Sequence, residues 1–323
     1  MPLHVVPATG TVLEQVLNDT HPMWGDGLSR ENYGKAWTAQ LKTPWGQHHL
    51  DRVALVDGPH VLSSAKRYDL SVRFDGRIRR VLGIGAVFTA PAHRGRGYAR
   101  ELLTRMLDTA VTEGQEFAML FSEIPPAFYE QLDFVPLPLI ESTLEVDQKR
   151  GGAPAMLVRS GDDKDLPSIV EMSASRSVGA RLALDRNEEL IRFQITRKRL
   201  HSGFAPPGRR NTEFLVVEEG HQAVAYLVST EEDGRWMIEE AGDRDPAGAR
   251  LGAMLQVMLA RYPSERLPEI KCWWPKTLTP PQVKVVAATP TQSVLMIRPL
   301  RDRILPLPPV PAAEVVYWHS DYF

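Results

Sequence analysis

His93-Arg94-Gly95-Arg96-Gly97-Tyr98-Ala99-Arg100 is the stretch on which the reading of this chain turns. It stands directly before a run with apolar residues at Ala99, Leu102, Leu103, Met106, Leu107, Ala110 and Val111, the i, i+3, i+4, i+7, i+8 spacing of an amphipathic helix, with Gly114 as its stop. A helix N-terminus leaves backbone N–H groups unpaired and carries partial positive charge. Gly95 and Gly97 let a ligand approach the backbone, and Arg94, Arg96 and Arg100 add full charges, so the stretch reads as a pyrophosphate cradle. The plainer alternative is a basic turn with no ligand; the strand expected before it and the helix after it weigh against that. A P-loop would need a Gly-Lys-Ser/Thr ending, which is absent. The dinucleotide fingerprint would need a third glycine, where Arg100 stands.

Upstream, Leu13–Leu17 and Tyr33–Leu41 carry helical spacing, interrupted by HPMWGDG. Arg52–Asp57 reads as a strand closed by Asp57-Gly58, and Leu62–Arg73 as another ending at the hairpin signal Asp75-Gly76. Arg80–Ala90 (RVLGIGAVFTA) is a strand whose two glycines mark a bulge or a close approach of something to the backbone. Downstream, Phe117–Phe121 is a short buried strand, AFYEQL after Pro125-Pro126 a short helix, and Asp133–Val135 an extended segment. Strand, glycine loop, helix, strand is an α/β unit with a mixed sheet.

The charged, glycine-rich Asp147–Pro154 (DQKRGGAP) is the expected boundary, giving domains at 1–150 and 151–300 and a Pro-rich tail at 301–323. Helices are expected at Asp165–Ser173, Asn187–Arg199 and Ala247–Arg261, with strands at Glu213–Glu218, Ala223–Ser229, Trp236–Glu240 and Ile270–Trp274. AHRGRGYARELLTRMLDTA and PAGARLGAMLQVMLARYPS hold equivalent places in the two halves, which reads as a divergent internal duplication. The second loop, Asp245–Arg250, lacks the arginine cluster and is expected to bind no coenzyme. PLPPVP at Pro306–Pro311 excludes regular helix or central strand. After it, VVYWHSDYF is apolar and aromatic to its last residue, so the tail should dock rather than fray.

The chain has 323 residues, 43% hydrophobic and 24% charged, enough for about two domains. Lys+Arg 38 against Asp+Glu 40 argues against a nucleic-acid partner held by field alone. No apolar run suits a membrane span, MPLHVVPATG carries no leader pattern, and a cytoplasmic location is expected. A single cysteine, Cys272, excludes an internal disulfide and a cysteine-rich zinc domain, and no metal site is expected. His48-His49 read as solvated loop residues, since no cluster of ligand types accompanies them. His319-Ser320-Asp321 holds triad residue types that adjacency cannot place in triad geometry. Trp273-Trp274 read as packing, and Cys272 as an inert buried thiol.

Arg94-Gly95-Arg96-Gly97-Tyr98-Ala99 resembles the R-x-x-G-x-G/A signature of the GNAT superfamily of N-acetyltransferases. AVFTAP is similar to the family's splayed strand before the loop, and Ala127–Phe134 (AFYEQLDF) to its FYEKLGF segment, with Asp133 in place of the usual glycine. Ala92–Gly97, the pair Ser122-Glu123 and the terminal aromatic residue resemble the enhanced-intracellular-survival (Eis) type, an active GNAT domain followed by a degenerate one. Nothing after Pro299 is long enough for that type's third, sterol-carrier-like domain. Mycothiol synthase, another tandem GNAT protein, is similar in size, but its working loop is the second.

The resemblance implies a GNAT fold followed by a degenerate GNAT-like domain, and acetyl transfer from acetyl-coenzyme A to a small-molecule or peptide amine in a ternary complex. It implies that Val87, Phe88 and Thr89 pair with the pantetheine amides and that Arg94, Gly95, Arg96, Gly97, Tyr98, Ala99 and Arg100 hold the pyrophosphate. Ser122 and Glu123 are placed with this coenzyme-contacting set, Glu123 also as a group that orients the amine. Tyr129 is implied as the general acid, and the α-carboxylate of Phe323 as the base or the anchor of the amine. The other readings weighed are a non-catalytic acyl-coenzyme A sensor and a protein-interaction module using the aromatic tail.

Overall fold

The computed structural model describes residues 2–147, 155–301, 307 and 309–323. In chain order its elements begin with β1 (His4–Pro7), α1 (Gly10–Trp24), α2 (Arg30–Leu41), α3 (Pro44–His49), β2 (Leu50–Asp57), β3 (His60–Phe74) and β4 (Arg77–Thr89). Next come α4 (Tyr98–Thr112), β5 (Phe117–Ser122), α5 (Ala127–Glu130), β6 (Val135–Leu137), β7 (Ile140–Val146), β8 (Val158–Ser160), α6 (Leu166–Arg176) and β9 (Leu182–Leu184). Then follow α7 (Glu188–Phe204), β10 (Arg210–Glu219), β11 (Gln222–Glu232), β12 (Arg235–Asp243), α8 (Ala249–Leu259), β13 (Glu269–Cys272), β14 (Val283–Pro290), β15 (Val294–Pro299) and β16 (Val315–Val316). No described helix is long and apolar enough to cross a membrane.

Two compact units form, and they do not follow the expected boundaries. The first comprises residues 1–138, 292–310 and Phe323; the second comprises 139–291 and 311–322. Most of the expected linker DQKRGGAP lies outside the described residues, as does part of the Pro-rich stretch. The chain leaves the first unit at Pro138 because β7 joins the second unit's sheet, and it returns at Gln292 because β15 joins the first.

In the first unit the sheet runs β1-β2-β3-β4-β5-β15-β6, with β4 and β5 parallel and the other neighbours antiparallel. The apolar stripe of α4 covers one face: Leu102, Leu103, Met106, Leu107 and Ala110 pack with Leu55, Ala65, Leu82, Ile84, Leu120 and Met296. Lys66, next to Ala65 on β3, points to the opposite face, where its ammonium lies over Trp37 of α2. The expected break falls in the second half of HPMWGDG, for α1 runs through Pro22 to Trp24 and α2 begins only at Arg30. Pro22 falls in the last turn, where one missing N–H interrupts only the end of the helix.

The second unit has a sheet ordered β14-β7-β13-β12-β11-β10-β8, with β12 and β13 parallel. Leu251, Met254, Leu255, Met258 and Leu259 of α8 pack on one set of its residues, including Leu227, Ile238 and Cys272. Leu166, Ile169 and Met172 of α6 and Ile191 and Ile195 of α7 pack on another, including Phe214, Val216 and Tyr226. Strand, left-handed glycine, helix and parallel strand therefore occur once in each unit, as the two similar stretches anticipate.

Candidate active site

Strands β4 and β5 pair from Val81–Phe117 to Ile84–Leu120 and no further, so Gly85–Thr89 continue along β3 alone. A bulge follows at once. The register with β3 shifts between Lys66–Gly85 and Ser64–Phe88, and Ala86 carries the strain at φ +47°. Ser63 fastens the outer end: its hydroxyl donates to the Phe88 carbonyl at 2.8 Å and lies 3.0 Å from Thr89 Oγ1. The backbone of Val87–Thr89 thus has one edge that no strand occupies among the described residues.

The close approach that the strand's glycines imply is made by Phe323. Its ring centroid lies 5.3 Å from that of Tyr68 and 5.4 Å from that of Phe121. A Cβ at Gly83 would come within 3.2 Å of that ring, and one at Gly85 within 2.9 Å of the terminal carbonyl carbon. Among the described residues the Phe323 carboxylate has no hydrogen-bond or ion-pair partner.

Beyond Thr89 a single 3-10 turn, Pro91–His93, leads into the loop. Gly95 (φ +75°) and Gly97 (φ +82°) are left-handed with open space where a Cβ would stand, and Gly97 caps α4 with no side-chain bond. The first-turn N–H groups of α4 therefore face outward uncapped. Arg96 is exposed. Arg94 is partly committed, donating to the Thr89 carbonyl at 3.0 Å with its guanidinium 5.9 Å from the Phe88 ring centroid, and Arg100 donates to Gln131.

Tyr129 is buried on α5, edge-on to Phe128 at 5.0 Å and to Phe134 at 6.1 Å. Burial, with the Glu123 carboxylate second, pushes its phenol up to about 12, so it stays protonated at neutral pH and can donate. Asp133 adopts φ +60°, the conformation of the glycine it replaces, so the turn after α5 survives the substitution. Ser122 is spent within its own turn, donating to the Ile124 carbonyl at 2.6 Å, and Glu123 is exposed. Two neighbours escaped the reading of the sequence. Trp24 stands edge-on to Phe88 at 5.9 Å, and Asp19 of α1 has its carboxyl raised by burial, an effect that nearby His93 opposes. Neither lies near a motif that could have signalled it.

The equivalent place in the second unit is closed by its own side chains. Asp243 accepts N–H bonds from Asp245 and from Leu251 in the first turn of α8, both at 2.9 Å. Leu278 and Pro280 stand 3.1 Å from a Cβ at Gly248, and Gln282 Oε1 2.0 Å from one at Gly252. His319 and Asp321, discounted as triad members, have other partners: Asp321 accepts from Arg186 at 2.5 Å and Gln194 at 2.8 Å, while His319 lies 2.6 Å from Glu239. Cys272 is buried, which pushes its thiol up. His48 and His49 end helix α3 rather than lying in a loop, with His49 stacked on Trp45 at 5.1 Å.

Residues 20–136 match the family model described as Acetyltransferase (GNAT) domain, a span from α1 into β6 that contains the splayed strands, the loop and Tyr129. Residues 20–136 thus carry a match to the GNAT acetyltransferase domain, over a little more than a third of the chain. Its fold is similar to that of a GCN5-related N-acetyltransferase from Kribbella flavida, at TM-score 0.65 and 17% identity over 92% of this chain and 71% of that one. It is also similar to Eis1 from Mycobacterium abscessus, at 0.54 and 12% over 93% and 74%. A third is Saccharomyces cerevisiae N-myristoyltransferase with bound myristoyl-CoA, at 0.55 and 10% over 92% and 83%. No curated protein sequence matches the chain.

Proposed function

We propose that the protein transfers an acetyl group from acetyl-coenzyme A directly to the amine of a small molecule or peptide. The observation that carries this reading is the uncapped N-terminus of α4 behind Gly95 and Gly97, reached directly from a β4 end that β5 leaves unpaired. The pyrophosphate would lie on the loop's N–H groups with Arg96 beside it, and the pantetheine amides along Val87–Thr89. The amine nitrogen attacks the thioester carbon, the backbone N–H near Val87 stabilises the oxyanion, and collapse breaks the C–S bond. Tyr129, which holds its proton at neutral pH, gives it to the departing thiolate. The Phe323 carboxylate takes the proton from the amine, directly or through water. The chain's one thiol, Cys272, is buried in β13, which favours direct attack over an acyl-cysteine intermediate.

Calorimetry with acetyl-coenzyme A, followed by a thiol-release screen over an amine panel, tests the reading. Tyr129→Phe should bind the coenzyme as wild type does and lose turnover. Binding without turnover in wild type would make the protein an acyl-coenzyme A sensor, and no binding at millimolar coenzyme would end the proposal. Extending the chain by two glycines should abolish turnover with little change in coenzyme affinity or melting temperature. Full activity in the extended chain would remove the carboxylate from the mechanism, and joint loss of activity and melting stability would make Phe323 a packing residue.

A further inference from the structure

Arg52 of β2 is 4% exposed, yet among the described residues no carboxylate pairs with it. Its polar contacts are two hydroxyls, Thr20 Oγ1 and Tyr33 Oη, each at 3.4 Å, beyond the usual range of a charged hydrogen bond. Its guanidinium stacks 4.7 Å from the centroid of Trp37, and Trp37 is itself 4% exposed with an indole N–H that has no acceptor. Directly across the antiparallel pair stands Lys66, whose ammonium is 5.8 Å from the same ring. Like charges placed opposite each other on neighbouring strands repel, and a buried cation without a counter-charge is costly. A buried cation without a counter-charge and an unused indole donor lie together here, and an anion would satisfy both.

The position says which anion. Lys66 is paired on its other side with Gly85, over which the Phe323 carbonyl carbon lies, so Arg52, Lys66 and the terminal carboxylate form a row across one face of the sheet. Neighbouring strands are about 4.8 Å apart, so the row spans roughly 10 Å from the Arg52 backbone to that of Gly85. The phosphate-binding loop lies beyond Thr89, at the end of β4. We propose that Arg52, Lys66 and Trp37 form a carboxylate subsite, and that the acceptor is an amine bearing its own carboxylate, an amino acid in its simplest form. The zwitterion would lie along the row with its ammonium toward Phe323 and its carboxylate toward Arg52.

This rests on the acyltransferase reading, and the test separates the two. Matched probes are L-phenylalanine with phenethylamine, L-lysine with cadaverine, and L-leucine with isopentylamine. Each is titrated against the protein saturated with coenzyme A, and kcat/KM is measured with acetyl-coenzyme A. In wild type the carboxylate-bearing member of at least one pair should be favoured roughly ten- to hundredfold, the worth of a charge-assisted contact. Arg52→Met should remove that preference while acetyl-coenzyme A affinity holds. Trp37→Phe, which keeps the packing and deletes the N–H, should weaken the preference and supplies the test if Arg52→Met fails to fold by circular dichroism. Equal affinity for both members of every pair in wild type, or a preference that survives Arg52→Met, overturns the subsite. If coenzyme binds and no amine is acetylated, acyl transfer fails instead, and the subsite is judged by amino-acid binding to the coenzyme-loaded protein: loss in Arg52→Met supports it and absence in wild type ends it.

Discussion

Gly85 shows how one residue can be set by a neighbour at the far end of the chain. Gly85→Ala would place a Cβ 2.9 Å from the Phe323 carbonyl carbon and 3.3 Å from Tyr68. Crowding of that kind costs about 1–3 kcal/mol or displaces the intruding group. We expect turnover to fall at least about tenfold, with acetyl-coenzyme A affinity unchanged by calorimetry. Tyr129 yields a prediction in pH. Its folded pKa of about 12 stands above the ordinary 10.0, so its contribution to stability is whole below pH 10 and is lost as pH rises from 10 toward 12. A kcat profile should therefore show no alkaline fall from this phenol below pH 10; a limb near that value, moving with ring-fluorinated tyrosine at position 129, would contradict it. At this scale the glycine turn before α4 and the close approach at the β4 glycines were legible. Arg52 and Trp37 were not, because nothing in a strand's arginine or a helix's tryptophan announces that one will stack on the other with no counter-ion.

Two helices of similar sequence pattern, each begun by a left-handed glycine, end in opposite states. The N-terminus of α4 is open, while that of α8 is held by Asp243 and walled by Leu278, Pro280 and Gln282. The missing arginines of the second loop could be read in advance. The wall could not, since it is built by residues well downstream whose path depends on the fold. Titration should accordingly give one acetyl-coenzyme A per chain, and a stoichiometry of two would show α8 to be a working site. On the proposed function, Arg96→Ala in the loop before α4 would remove a charge-assisted phosphate contact worth roughly 1.5–3 kcal/mol, so affinity should weaken about ten- to hundredfold. Gly97→Val forces a branched side chain into φ +82° and should weaken binding as well, with the acceptor KM nearly unchanged in both. Equal coenzyme affinity in the two variants and wild type would place the coenzyme elsewhere.

The molecule is built by exchange of strands between its halves: β7 leaves the first for the second unit's sheet, and β15 comes back to stand between β5 and β6. Sequence periodicity identifies helices and strands but carries no label for the sheet each strand joins, so a break near residue 150 was the natural expectation. A fragment ending at residue 150 lacks β15 and the Met296 side chain that completes the α4 core. It should melt without a cooperative transition by circular dichroism, and adding residues 292–310 through a flexible linker should restore one. A cooperative melt of the bare fragment would show β15 to be dispensable. The same exchange orders events on the ribosome. Phe117–Ser122, apolar in five of its six positions, emerges with an unclosed edge and must wait for Val294, an interval of roughly ten to thirty seconds at ordinary translation speeds. Throughout that interval it is a template for pairing with any other extended chain. The length of the second unit, rather than anything in the first, thus sets how long the nascent active-site sheet is exposed to aggregation and to chaperones.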